Sequence, residues 1–187
     1  MVEQSLQLEQ NEASQVSTTR QPQYQLRPIK EQDNAAIAAI IRAVFVELDA
    51  PREGSAYSDP SLDGLYQHYQ ADPRAAYFVV EIDGKVIAGC GLGPLPGEPS
   101  HVCELQKMYM TPECRGLGIG QRLVQACLDQ AKEFAYTQCY LETLPNMTAA
   151  QALYLKFGFR YLERPLGNTG HSNCPVWMLL DLEAPIK

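Results

Sequence analysis

Arg115-Gly116-Leu117-Gly118-Ile119-Gly120 is a glycine-rich turn, and the fold reads outward from it. Before it, His101 to Met110 reads as a long strand ended by Thr111-Pro112. After it, Ile119, Leu123, Val124, Cys127, Leu128, Ala131 and Phe134 recur at helical spacing, with Gln121, Arg122, Gln125, Asp129, Lys132 and Glu133 mostly opposite. Strand, glycine turn, then helix is a general anion-binding arrangement. The free N–H groups and the positive end of the helix dipole face a phosphate, and glycine lets the ligand approach the backbone.

Known phosphate loops narrow the choice. A Walker loop needs G-x-x-x-x-G-K-[ST], and the chain contains no such string. A dinucleotide fingerprint needs G-x-G-x-x-G/A. Gly116 and Gly118 fit its start, but position 121 is Gln, and a hairpin precedes the turn where a βαβ unit would open. GTPase, kinase and NAD-enzyme readings are disfavoured.

On the N-terminal side, Tyr24 to Ile29 alternates like a short strand, with Pro28 suited to an edge or strand end. Asp33 reads as an N-cap for a helix carrying Ile37, Ile40, Ile41, Val44, Phe45 and Leu48. Asp49 to Ser58 is a loop. Asp59 and Pro60 announce a second helix whose buried face is Leu62, Leu65, Tyr66 and Tyr69. Ala75 to Ile82 and Lys85 to Leu92 flank Asp83-Gly84, a strong hairpin signal.

On the C-terminal side, Gln138 to Thr143 is a strand. Thr148 and Gln151 suggest a capping box for a short helix, Ala149 to Phe157, stopped by Gly158. Strands near Phe159 to Glu163 and Val176 to Leu182 flank the loop Pro165 to Pro175. The order β-α-α-β-β-β-α-β-α-β-β predicts an α/β fold. About seven strands form a mixed, mostly antiparallel sheet, with four helices spread over both faces.

The chain has 187 residues, about one domain's worth. Residues 1–23 are rich in Gln, Glu, Ser and Thr and read as a disordered tail, which leaves 24–187 as the folded domain. Net charge is −7, which argues against a global grip on nucleic acid or an anionic membrane. No run approaches the roughly 18 apolar residues of a membrane helix, and no secretory signal is visible, so the expectation is a cytoplasmic protein. None of the six cysteines sits in a C-x-x-C pair. They read as reduced, partly buried thiols, with no metal expected.

Arg115, Gly118 and Gly120 occupy the defining positions of the Q/R-x-x-G-x-G/A motif of the GCN5-related N-acetyltransferases (GNAT), and here the sequence resembles that family. Glu104-Leu105-Gln106-Lys107-Met108-Tyr109-Met110-Thr111-Pro112 looks like the family's fourth strand. Ala152-Leu153-Tyr154-Leu155-Lys156-Phe157-Gly158-Phe159, with Ala149 or Ala150 as the small residue, looks like its A-x-x-L-Y-x-x-x-G-F segment. The resemblance runs from about Tyr24 to Lys187 and implies the acyl-CoA N-acyltransferase fold.

It further implies acetyl-CoA as co-substrate. The pyrophosphate would sit on the N–H groups of Arg115, Gly116, Leu117, Gly118, Ile119, Gly120 and Gln121. The pantetheine arm would pair with Met108, Tyr109 and Met110 where that strand parts from Leu141 to Thr143. A backbone N–H there would polarise the thioester carbonyl. Many members carry Asn about seven residues before the Tyr. Here Met147 stands in that place, and the adjacent Asn146 is either a coenzyme A contact or a plain turn residue.

Two residues carry the implied proton chemistry. Glu104 matches the position where histone-acetylating members place their general base; its alternative is a paired or solvated surface glutamate. Tyr154 matches the usual general acid. Its alternative is a core aromatic beside Ala150, Leu153 and Phe157, and one tyrosine can be both.

The acceptor would be gripped by Asp49 to Ser58, the second helix and Pro165 to Pro175. His171, His68 and His101 read as loop or packing residues. The implied protein is a monomer or homodimer N-acetyltransferase acting on a primary amine. A small molecule is favoured over a protein acceptor, with no nucleic-acid or membrane partner. The competing class is a non-catalytic acetyl-CoA sensor.

Overall fold

The computed structural model describes residues 24–183. The segment 1–23, read above as a disordered tail, lies outside the described residues, as do the last four residues of the 24–187 domain. The edge strand β1 (Gln25–Pro28) pairs antiparallel with β2 (Ala76–Ile82), and Pro28 sits at its end. β2 turns into β3 (Lys85–Pro94) through Asp83 and Gly84, both left-handed at φ 49° and 77°. Two residues of positive φ are what a two-residue hairpin turn requires. β4 (Val102–Met110) follows, then the glycine turn and α3 (Ile119–Glu133).

β5 (Gln138–Thr143), α4 (Thr148–Lys156), β6 (Arg160–Tyr161) and β7 (Val176–Asp181) complete the order. The seven strands form one sheet, β1-β2-β3-β4-β5-β7-β6, in which β4 and β5 are parallel and every other pair is antiparallel. No helix among the described residues is long and apolar enough to cross a membrane.

Helices cover both faces, as alternating strand residues demand. α1 (Asn34–Glu47) and α2 (Leu65–Gln70) bury Ile37, Ile41, Phe45, Leu65 and Tyr69 against Tyr77 and Val79. α3 and α4 bury Ile119, Leu123, Cys127 and Tyr154 against Val80, Cys90, Cys103 and Leu105. The six cysteines are all free, five of them buried and Cys174 partly so.

Three helix starts differ from the sequence reading. Asp33 precedes α1, but its carboxylate makes no cap bond to that helix; it closes the capping box of the 3₁₀ turn Glu31–Asp33 instead. It receives Arg27 Nη1 and Nη2 at 2.7 and 3.0 Å and the Lys30 N–H at 2.7 Å. A bidentate charged pair outcompetes a cap. Although burial alone would raise the Asp33 carboxyl, these partners pull it below the usual range.

The helix read from Asp59 and Pro60 instead begins at Leu65, after a 3₁₀ turn at Leu62–Gly64. Asn34 Oδ1 accepts the Tyr66 N–H at 2.8 Å, so a residue of α1 caps α2. The capping box of α4 does not form. Gln151 Nε2 turns back to the carbonyls of Leu144 and Pro145 at 2.9 and 3.2 Å.

Two glycines of β3 make room for aromatic rings from elsewhere. A Cβ on Gly91 would lie 2.6 Å from both Tyr69 Oη and a Tyr77 ring carbon, and one on Gly89 would lie 2.6 Å from Tyr77. Both rings are buried and cannot step aside. Gly91→Ala is expected to lower unfolding free energy by about 1–3 kcal/mol, as overpacking does. The melting temperature would fall by about 2–4 °C for each kcal/mol, which a thermal scan reads directly.

Candidate active site

β4 and β5 are paired only through Val102↔Gln138, Cys103↔Cys139 and Glu104↔Tyr140. Beyond Glu104, β4 stays with β3 and β5 stays with β7, so the two strands part and leave a wedge. Sheet twist favours such a parting, and the break in β4 enlarges it. Between Gly91↔Gln106 and Gly89↔Tyr109, β4 has two residues, Lys107 and Met108, opposite Cys90 alone. This is a β-bulge, and Lys107 takes φ 48° in it.

The bulge breaks the alternation of faces. Gln106 meets Tyr69 and Lys107 meets Asp59, both on the α1/α2 side. Met108 and Met110 then pack on the α3 side, and Tyr109 on the α1 side. Tyr77 Oη donates to the Lys107 carbonyl at 2.9 Å and pins the bulge from β2.

A cleft of about 490 Å³ opens on the wedge. Its walls are Val44 and Leu48 of α1, Met108 to Met110 of β4, most of the glycine turn, and the first turns of α4 with Asn146 and Met147. Gly116 and Gly118 adopt φ 80° and 76°, and nothing lies within 4 Å of where a Cβ would stand. The N–H groups of Gly116, Gly118, Ile119, Gly120 and Gln121 make no hydrogen bond to another described residue, and the first helical bond runs from Arg122 N to Gly118 O. Five unpaired donors at the start of a fifteen-residue helix fit a diphosphate.

Arg115 is engaged across the mouth of this cleft by Glu47, bidentate at 2.5 and 2.6 Å. Two N–H groups expected on the diphosphate are taken by the turn itself: Arg115 N–H donates to the Pro112 carbonyl at 3.1 Å and Leu117 N–H to the Cys114 carbonyl at 3.4 Å. The Leu117 side chain is 41% exposed and does not line the cleft. Asn146 lines it, and its Nδ2 donates to the Leu48 carbonyl at 3.3 Å, tying the entry of α4 to the end of α1.

Gly118→Asp is expected to weaken acetyl-CoA binding by at least about tenfold, or roughly 1.4 kcal/mol. The added carboxylate would stand in the open space a diphosphate needs and carry the same sign of charge. Gly120→Ala is the control. Its Cβ would meet the flexible ends of Met108, Met110 and Leu153 at 3.0–3.2 Å, and these yield by a few tenths of an ångström. Calorimetry on folded variants checks both; equal affinity for the Asp variant and the wild type would remove the turn from the donor site.

Tyr154 is 6% exposed, and its ring packs against Phe159 with centroids 5.8 Å apart. Its hydroxyl meets Met108 Sδ at 3.6 Å, behind a residue that lines the cleft. A thioether is a weak acceptor, so the hydroxyl's proton is not committed to a strong partner. Burial pushes the phenol well above its ordinary range, which keeps it protonated at neutral pH.

Glu104 lies at the vertex of the wedge and is 4% exposed, which removes the solvated-glutamate reading. Gln106 Nε2 donates to its Oε2 at 2.8 Å. Burial raises its carboxyl above the usual range; Gln106, His171 and Lys107 work against that, and Glu142 reinforces it.

Around Glu104 is a polar set that the sequence did not announce. Lys107 Nζ pairs with Asp59 Oδ2 at 2.6 Å, and His171 Nε2 stands 3.8 Å from the same oxygen. Glu142 accepts from Tyr140 Oη at 2.7 Å and Thr169 Oγ1 at 2.9 Å. Asp59 read as a helix cap, and one of its oxygens does accept the Ser61 N–H at 2.8 Å. The other reaches the bulge, a contact no local pattern encodes. His171 lies in a loop, as read, and that loop brings its ring to Asp59 and near enough to Glu104 for its charge to act there. Among the described residues no cluster of three His, Cys, Asp or Glu side chains is arranged to hold a metal.

Comparison with known proteins bears on this geometry. The acetyltransferase (GNAT) family model matches residues 41–159. The chain is 44% identical over 158 residues to the uncharacterized N-acetyltransferase YjgM of Escherichia coli K12, covering 84% of this chain and 94% of that protein. A GNAT-family acetyltransferase from Staphylococcus aureus Mu50 superposes with TM-score 0.74 at 18% identity, covering 86% of this chain and 100% of the other. YncA of Salmonella typhimurium, solved with its cofactor acetyl-CoA, superposes with TM-score 0.68 at 19% identity, covering 88% and 97%.

Proposed function

The chain belongs to the acetyltransferase (GNAT) family, and on that premise we propose that it moves an acetyl group from acetyl-CoA to the primary amine of a small molecule. The observation that carries the reading is the wedge itself. A cleft with unpaired N–H donors lies along one arm, and a buried carboxylate sits at the vertex. Acetyl-CoA supplies the acetyl group as a thioester. The turn from Gly116 to Gln121 holds its diphosphate, and backbone N–H groups of Met108 to Met110 orient the acyl end. Glu104 takes the proton that an ammonium must lose before its nitrogen is nucleophilic, since such amines titrate near 10. Tyr154 holds the proton that the departing sulfur needs.

A small acceptor is favoured because Glu104 is buried, and the two loops expected to grip the acceptor hold each other. The loops 49–58 and 165–175 are tied together. The Asn173 N–H donates to the Gly54 carbonyl at 3.2 Å, and Asn173 Nδ2 donates to the Glu53 carbonyl at 2.8 Å. A peptide lying along the sheet would have to displace both. Asp59, Glu104 and Glu142 against Lys107 favour a cationic acceptor. Six free cysteines, five of them buried, fit work in a reducing compartment such as the cytoplasm.

The test is thiol release from acetyl-CoA with a broad panel of amines and peptides. Amine-dependent release, with matching amide formation, is expected for small cationic amines. Faster turnover of peptides would overturn the small-acceptor reading. Tight donor binding with no release from any acceptor would return the chain to the sensor class.

A further inference from the structure

Among the described residues, Glu104 makes its one direct side-chain hydrogen bond to an amide, and that amide is itself oriented by a hydroxyl. Gln106 Nε2 donates to Glu104 Oε2 at 2.8 Å, and Tyr69 Oη donates to Gln106 Oε1 at 2.8 Å. We propose that Tyr69 is a positioning residue for the reaction. Acting through Gln106, it holds Glu104 as a carboxylate ready to take the acceptor's proton. The proposal rests on the reading of Glu104 as the general base.

The direction of these two bonds decides which form of Glu104 they favour. A glutamine amide can be reversed, with Oε1 toward Glu104 and Nε2 toward Tyr69. Reversed, it requires Glu104 to carry a proton and donate it. Tyr69 would then accept from Nε2, and its own hydroxyl proton would need another acceptor. Tyr69 is 2% exposed, and its hydroxyl has no other hydrogen-bond partner among the described residues. Reversal therefore strands a buried donor, which is costly. The forward direction gives the Tyr69 hydroxyl its acceptor and aims an N–H at Glu104, a donor that an ionised carboxylate accepts more strongly than a neutral carboxyl.

Tyr69 is held in place by contacts that its own helix does not supply. Its ring occupies the room left by Gly91 and packs against Tyr77, with centroids 5.1 Å apart. The other titratable groups near enough to Glu104 for their charges to interact are Lys107 on β4, Cys139, Tyr140 and Glu142 on β5, and His171 and Cys174 in the loop before β7. Asp59, in the turn before α2, reaches the set through Lys107. Tyr69→Phe leaves all of them unchanged and removes only the hydroxyl that sets the direction.

The experiment is the pH dependence of kcat/KM for the wild type, Tyr69→Phe, Gln106→Met and Glu104→Gln. It uses acetyl-CoA and the best amine of the panel, with acetyl-CoA affinity and melting temperature measured alongside. In Tyr69→Phe the acid limb is expected to move up by roughly half to one pH unit, the worth of one hydrogen bond. The profile is then displaced along the pH axis, and donor affinity stays within about twofold. Gln106→Met should move the limb the same way and keeps the test available if Tyr69→Phe folds poorly.

If Glu104→Gln abolishes the limb while Tyr69→Phe and Gln106→Met leave it at the wild-type pH, the positioning role is overturned and the base reading stands. A lower melting temperature, or a uniformly scaled profile, with the limb unmoved overturns the positioning role in the same way. If the limb survives in Glu104→Gln, the base reading falls and this inference with it.

Discussion

Tyr154→Phe lowers kcat by roughly 10- to 1,000-fold, within or just below the usual worth of general-acid catalysis, while acetyl-CoA affinity stays within a few-fold. The substitution keeps the ring that packs on Phe159 and removes a hydroxyl whose partner is the Met108 sulfur at 3.6 Å. A bond to a thioether is weak, so stability should change by less than about 1 kcal/mol, or about 2–4 °C. The glycine turn and β4 are untouched, which is why binding and turnover should separate. Steady-state turnover and coenzyme A affinity on the same folded variant decide the matter. Near-wild-type kcat at saturating substrates, with chemistry rate-limiting, would sink the general-acid assignment and leave Tyr154 as a core aromatic.

Glu104→Gln is the second large effect, an expected loss of roughly 10- to 100-fold in kcat/KM near neutral pH, the low end of general-base catalysis. The sign with pH follows from the site. Glu104 must be ionised to accept a proton, and burial raises its carboxyl above the usual glutamate range. Wild-type activity should therefore fall on the acid side at a pH above that of a solvated glutamate. The Gln variant depends on acceptor already neutral in solution, so its deficit should shrink as pH rises toward 10, the ordinary titration of a primary amine. Gln preserves the size of the side chain, and the donor cleft does not include residue 104, so acetyl-CoA affinity should hold. A pH–rate profile identical to the wild type would return Glu104 to a structural role.

The Asp83-Gly84 hairpin, the stripe of α3 and the glycine turn were all legible along the chain, because each depends on backbone preferences or on spacing within one element. The helix starts were less so. Asp33 and Asp59 both have a capping residue's chemistry and each accepts a nearby backbone N–H, but neither caps the helix read from it, and each also pairs with a cation, Arg27 in one case and Lys107 in the other. Thr148 and Gln151 have the spacing of a capping box, yet the Gln amide found carbonyls of the preceding turn. Local propensity proposes such partners, and tertiary contact overrides it whenever a charged or buried partner comes within reach.

The candidate site divides along the same line. The sequence by itself determined the glycine turn proposed to hold the diphosphate, the strand that leads to it and the helix that follows. Their chemistry is carried by contiguous residues, with glycines that permit positive φ and N–H groups that a helix start must leave free. Only the tertiary structure decided that Glu104 is buried, that β4 bulges at Lys107, and that Asp59, Tyr69, Glu142 and His171 gather around them. These residues come from a turn, a helix, a strand and a late loop. Their meeting depends on how far β4 and β5 part and on where Gly89 and Gly91 leave room for two tyrosine rings. Hydrogen bonds act over about 3 Å, and no periodicity in the chain encodes a distance set by packing between separate elements.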